Sequence, residues 1–157
     1  MINDGERGSH PQSTAKLGGH PIHPMLIPFP ITCFVGAFVT DLVHSQNGDP
    51  GWATGSMWLL GFGLLTAALA AVAGFTDYLG DDRIRSLGAA LKHMIANVAA
   101  VVIELVNLIL RLNDPGFANS TGVYLSGVVV LILLYSGWLG GELVYKHGVG
   151  VQDRANH

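Results

Sequence analysis

Charge is what this sequence has least of. Only 12% of its 157 residues are Asp, Glu, Lys or Arg, against about 25% in ordinary soluble proteins. Pro24 to Thr40, Gly51 to Thr76 and Pro115 to Gly141 contain none at all. The net charge is -3 and there is no basic patch, so nucleic acid is not an expected partner. Cys33 is the only cysteine, which excludes an internal disulfide and a thiolate-held iron–sulfur cluster. It lies in an apolar run and reads as a small core residue. No nucleophile elbow, phosphate loop or dinucleotide fingerprint occurs, so nothing suggests a hydrolase. The first 19 residues lack the apolar region of a signal peptide, and the first span is expected to direct insertion.

What the chain has in abundance is apolar length. Half of its residues are hydrophobic, and a hydrocarbon core of about 30 Å needs roughly 20 apolar residues per helical crossing. Four such segments follow: Met25 to His44, Gly55 to Leu79, Ser86 to Leu112 and Thr121 to Tyr145. Asn47 to Gly51, Gly80 to Asp82 and Asn113 to Gly116 supply the turns. The expected fold is all-α, an integral membrane antiparallel four-helix bundle over residues 20–147. Residues 1–19 read as a polar, flexible tail and residues 148–157 as a short second tail. Pro28 and Pro30 fall in the first turns of span one and predict a kink or a late start. The small residues of spans two and four (Gly61, Gly63, Ala67, Ala70, Gly74; Gly137, Gly140, Gly141) suit close helix packing.

Arg7, Lys16, Arg83, Arg85, Lys92, Lys146 and Arg154 share one side of such a bundle, and only Arg111 lies near the other. The positive-inside rule then puts both termini in the cytoplasm, with the chain multi-pass in a cytoplasmic (inner) membrane. Within span three, His93, Asn97, Glu104, Asn107 and Arg111 fall in a stripe about 80° wide on one helical face. A charge facing lipid costs at least about 2.5 kcal/mol, so this stripe is expected to face the bundle interior. It reads either as glue between helices or as a functional path. Asp41 and His44 lie at a similar depth to Asn107 and Arg111. They predict an Asp41–Arg111 ion pair, with His44 at the membrane interface.

The opposite end collects ligand-type side chains from every span: His20 and His23, Asp77, His93, and Glu142 with His147. Imidazoles and carboxylates of this kind suit a transition metal (Fe, Cu or Zn). Two of the three histidines His23, His93 and His147 equally suit the axial positions of haem b. The plainer readings are a Glu142–Lys146 surface pair at i,i+4 and histidines that only sit at an interface.

Gly19-His20-Pro21-Ile22-His23-Pro24, Gly74-Phe75-Thr76-Asp77 and the run from Gly140 to Val151 (Gly-Gly-Glu-Leu-Val-Tyr-Lys-His-Gly-Val-Gly-Val) resemble an uncharacterised family of small four-span bacterial membrane proteins. The resemblance covers nearly everything beyond residue 18 and implies the same topology. Related proteins carry the domain beside Rieske-type or cytochrome c-type modules, which implies a redox setting. This chain has no such module, so a redox role implies a non-covalent cofactor or a separate partner.

The leading expectation is therefore a membrane redox protein that holds haem b or a transition metal near the cytoplasmic face and exchanges electrons with a partner protein or quinone. The alternatives are metal-ion or proton translocation along the stripe of span three, which suits a homo-oligomer, and an accessory subunit of a larger membrane complex.

Overall fold

The protein is described here by a computed structural model covering residues 10–151. Arg7 and Arg154, used above for orientation, lie outside the described residues with the rest of 1–9 and 152–157. The chain begins with a short hairpin, β1 (Lys16–Leu17) antiparallel to β2 (His20–Pro21). Gly18 and Gly19 turn it at φ 57° and 85°, a region that a side chain would strain. Six helices follow: α1 (Ile22–Leu26), α2 (Pro28–Asn47), α3 (Pro50–Gly80), α4 (Asp82–Arg85), α5 (Gly88–Asn113) and α6 (Gly122–Tyr145), with a 3₁₀ turn at Pro115–Asn119.

Among the described residues, four stretches are long and apolar enough to cross a membrane: Ile22–Asn47, Pro50–Gly80, Gly88–Asn113 and Gly122–Tyr145. This is the all-α four-helix membrane bundle that the charge-free runs predict. The boundaries shift for local reasons. Span one starts at Ile22 and breaks at Ile27, after which Pro28 takes the first position of α2 and needs no amide hydrogen. Span two starts at Pro50, not Gly55, because the Asp49 carboxylate caps it by accepting from Gly51 N at 2.8 Å. Span three starts at Gly88, not Ser86. Asp81 caps the separate turn α4 first, accepting from Arg83 N at 2.9 Å.

α2 packs most extensively on α3, and α5 on α6; α2–α6 and α3–α5 contacts close the ring. The mid-depth core is thin and made largely of small residues: Ala37, Ala67, Ala100 and Val129 around Phe34 and Leu60. At Gly63 a Cβ would stand 2.6 Å from Phe34 Cε1, so only glycine admits that ring. Large apolar side chains point outward instead, as Trp58 and Trp138 do at 77% exposure each. That inversion is what lipid as the outer solvent requires, since helices in a bilayer associate by close packing and polar contacts and not by burying oil-like surface.

Both described chain ends meet at one end of the bundle. Residues 10–15 form a strap across the end of α3, and the turn after α6 meets it: Gly150 N donates to Pro11 O at 2.9 Å and Gln12 Nε2 to Val151 O at 3.0 Å. Residues 10–19, expected as flexible tail, thus include ordered, hydrogen-bonded chain. Asp81 anchors the same strap, accepting from Gln12 N at 3.1 Å. Hydrogen bonds from the Arg83 side chain hold the Asp81 carboxyl well below its ordinary value, at about 2, with the Arg83 and Gln12 amides and the Arg83 charge adding to the effect.

Candidate functional site

Two of the predicted histidines come together at the strap end. α1 delivers His23 in its first turn and α5 delivers His93 in its second. Their ring centres are 6.2 Å apart with the planes at 86°. His23 Nδ1 lies 2.8 Å from Ala70 O. A carbonyl only accepts, so that nitrogen carries the hydrogen and Nε2 keeps the lone pair. His93 Nδ1 is held the same way, 2.9 Å from Ser136 O and 3.0 Å from Ser136 Oγ. Asn97 Nδ2 then donates to His93 Nε2 at 3.1 Å and to His93 O at 2.9 Å. An imidazole whose Nδ1–H is pinned to a backbone carbonyl presents Nε2 as a metal ligand of fixed direction.

Glycines make room for both rings. A Cβ at Gly74 would stand 2.9 Å from His23 Nδ1, and one at Gly140 would stand 3.3 Å from His93 Cε1. The rings border a cavity of ≈ 590 Å³ that all four spans line. Its polar wall includes Ser13, His23, Asp77, His93, Asn97 and Ser136, and most of the remainder is apolar, with Phe34, Ala67, Val101 and Leu133 among it. Volumes of about 300–1,000 Å³ with a few convergent polar groups are typical of cofactor and small-ligand sites.

The other candidates sit apart from this pair. Asp77 borders the cavity, but its Oδ1 accepts from Ser13 Oγ, Thr14 N and Ala15 N at 2.8, 2.8 and 2.7 Å. Glu142 pairs with Lys146 at 2.7 Å on the surface, and His147 Nε2 stands 3.9 Å from the same Glu142 oxygen. His20 is exposed and lines a separate groove with Met25, Val144 and Val151. Among the described residues, no three His, Cys, Asp or Glu side chains lie close enough to hold one ion.

The stripe of span three divides. His93 and Asn97 belong to the cavity. Glu104, Asn107 and Arg111 belong to a second, dry cluster toward the other end, where all three are at most 1% exposed. There the predicted ion pair is present and bidentate: Arg111 Nη1 and Nη2 donate to Asp41 Oδ1 and Oδ2 at 2.7 and 2.6 Å. The remaining guanidinium hydrogens reach Ser56 Oγ, Ser126 Oγ and Asn107 Oδ1 at 2.8, 3.2 and 2.8 Å. Asn107 Nδ2 donates to Glu104 Oε2 at 2.9 Å. Glu104 Oε1 is the one buried side-chain oxygen or nitrogen without a partner among the described residues. His44, in the last turn of α2, is 7% exposed, with Nδ1 2.8 Å from Asp49 O, where it ties the end of α2 to the start of α3.

Sequence reasoning missed Ser56, Ser126 and Ser136. Ser56 stands in span two and the other two in span four, in runs without charge, and their only signal is a hydroxyl at a depth where lipid offers no partner. The roles of Gly74 and Gly140 were read as helix packing.

The fold and its polar interior define a four-span integral membrane protein. The family model described as "Predicted membrane protein (DUF2231)" matches residues 19–153, and the chain belongs to that family. No curated protein and no solved structure matches it.

Proposed function

We propose that the protein is a redox component of the bacterial cytoplasmic membrane, in which His23 and His93 hold haem b between spans one and three. The observation that carries this reading is the pair itself. Two imidazoles from different helices face one cavity, each with Nδ1–H fixed on a backbone carbonyl. Imidazole nitrogens bind first-row metals at about 2.0–2.1 Å, so a ring-centre separation of 6.2 Å is within reach of two rings sharing one ion. Asn97 Nδ2 places a hydrogen at the His93 lone pair, the position a Lewis acid takes.

Haem suits this donor set better than a bare ion. A haem iron takes only one or two ligands from the protein, whereas bare-metal sites ordinarily take three or four side chains. Asp77 and Glu142 are engaged elsewhere. Held by His23 and His93, such a group would supply one-electron chemistry, which suits electron transfer. The bias of Lys and Arg supports a cytoplasmic position for this end. The electron partner would be a second protein or a quinone. A single Fe, Cu or Zn ion on the same histidines is the variant reading.

An absorbance spectrum of detergent-purified protein, oxidised and then dithionite-reduced, tests the proposal together with elemental analysis. A Soret band that shifts and sharpens on reduction is expected. His23→Ala and His93→Ala each should abolish it, while His147→Ala and Glu142→Ala retain it. A colourless protein holding about one metal per chain, lost in the same two variants, transfers the site to a bare ion. Protein with neither group, expressed with haem precursor and metals supplied, refutes both.

A further inference from the structure

Asp77 is the residue whose sequence reading and structural setting differ most. It looks like a metal ligand in a Gly-Phe-Thr-Asp box, yet Oδ1 is filled by the strap. Ser13 Oγ, Thr14 N and Ala15 N donate to that single oxygen, and Thr14 Oγ1 approaches it at 3.4 Å. Successive backbone N–H groups converging on an anion form a cradle, and each bond is charge-assisted.

We propose that Asp77 is a positioning residue for His23. The path is short and continuous. Ala15 gives its N–H to Asp77 and its carbonyl to Ile22 N at 2.9 Å. Ile22 is the first residue of α1, and its N–H is one of those a helix start leaves without an intrahelical acceptor. His23 is the next residue, with its own ring fixed on Ala70 four residues before Gly74 on α3. Both ends of the link therefore rest on α3: Asp77 sets where α1 begins, and Ala70 sets how its histidine turns. Ser13, 4% exposed, forms part of the same cavity's wall, so seating the strap also closes the site toward water.

A second contact gives an independent handle. A Cβ at Gly80 would stand 2.8 Å from Thr14 Cβ, because the strap lies directly on the last turn of α3. Gly80→Val therefore unseats the strap without touching a carboxylate or a histidine.

The inference rests on the reading of His23 as a ligand, but its test does not need the cofactor. Hydrogen exchange of the full chain in nanodiscs reports the Ala15 and Ile22 amides. Nitrogen-15 spectra of histidine-labelled protein report the Nδ1–H form of His23. Asp77→Ala and Gly80→Val should each speed exchange at both amides by about ten-fold or more and erase the single His23 Nδ1–H signal. Amides of the Asp41–Arg111 half serve as the control for folding and should not change. Asp77→Asn, which keeps one acceptor oxygen, should recover most of the protection. An unchanged His23 signal in both strap variants overturns the proposal. So does an Asp77→Asn protein that keeps the strap protected but loses haem or metal, since Asp77 would then be a ligand. Wild-type protein without any cofactor, yet with the expected exchange pattern, removes the redox reading and leaves the positioning role standing.

Discussion

Removing either half of the Asp41–Arg111 pair should be among the most destabilising single changes in the chain. Both side chains are 0% exposed, and all five guanidinium hydrogens are used: two on Asp41 and one each on Ser56, Ser126 and Asn107. Asp41→Leu strips the cation of its bidentate partner where water cannot reach it, and leaves only the Glu104 carboxyl, which meets Arg111 through Asn107. Arg111→Met leaves an anion supported only by the Ser126 hydroxyl at 2.9 Å. Breaking a buried pair from one side costs about 3–5 kcal/mol. At about 2–4 °C per kcal/mol for a chain of this size, each single variant should lose roughly 6–20 °C in Tm. The double variant removes both charges. It then leaves Ser56, Ser126 and Asn107 with unmet hydrogen bonds, each costing about 1 kcal/mol. The double cost should therefore fall well below the sum of the singles, with a coupling energy of about 3 kcal/mol or more. The assay is thermal or denaturant unfolding in one detergent, with all four proteins measured side by side. Costs that add to within about 0.5 kcal/mol would refute the reasoning, because they would show the two charges act independently.

The glycine seats are expected to be specific. Gly74→Val and Gly140→Val push His23 and His93 out of position, so each should lose the cofactor bands while the far-end network keeps its exchange protection. Gly61→Val, at a position with nothing within 4 Å of a Cβ, is the matched control and should keep them. Asp81 gives the strap a pH dependence. Its carboxyl titrates at about 2 in the folded protein against an ordinary value of 3.8. A depressed folded value means a stabilisation that is complete above the unfolded value and is lost as pH falls through the folded one. Protection of the Gln12 amide should decline between about pH 4 and 2, and Asp81→Asn should abolish that pH dependence.

The spans were legible because the bilayer allows little else: runs without charge, separated by Asp, Asn, Gly and Pro, have one physical meaning. The Asp41–Arg111 pair was legible too, since two opposite charges at one depth inside a membrane must meet or be very costly. The site was legible in depth but not around the ring of helices. His20, His23, Asp77, His93, Glu142 and His147 do share one end of the bundle, yet the sequence does not say which of them turn inward. Rotation about each axis at that end is set by the strap and by glycine seats, and the strap works through the backbone hydrogens of Thr14 and Ala15. Backbone donors leave no mark in a pattern of side chains. The 100° periodicity did place His93 and Arg111 on one face of α5, but it could not show that the face meets two separate environments.

That division decides what the stripe can do. Passage of a proton or metal ion along α5 requires polar groups close enough to hand it on. Asn97 and Glu104 are seven residues apart, about 10 Å along the axis. The depth between them is occupied by Ala100, 1% exposed, in the cluster that includes Phe34, Ala67 and Val129. Beyond it every guanidinium hydrogen of Arg111 and both Asp41 oxygens are engaged inside the far network, so neither group is free to hand on a proton or to ligate a passing ion. The two polar groups thus have separate tasks. The far network holds four helices in register, and the near cavity is left free to hold a ligand. Proteoliposomes carrying the protein should consequently pass protons and divalent metal ions no faster than protein-free vesicles under an imposed gradient. Flux above that background, abolished by Glu104→Gln, would show that the apolar layer opens and that the stripe is a path after all.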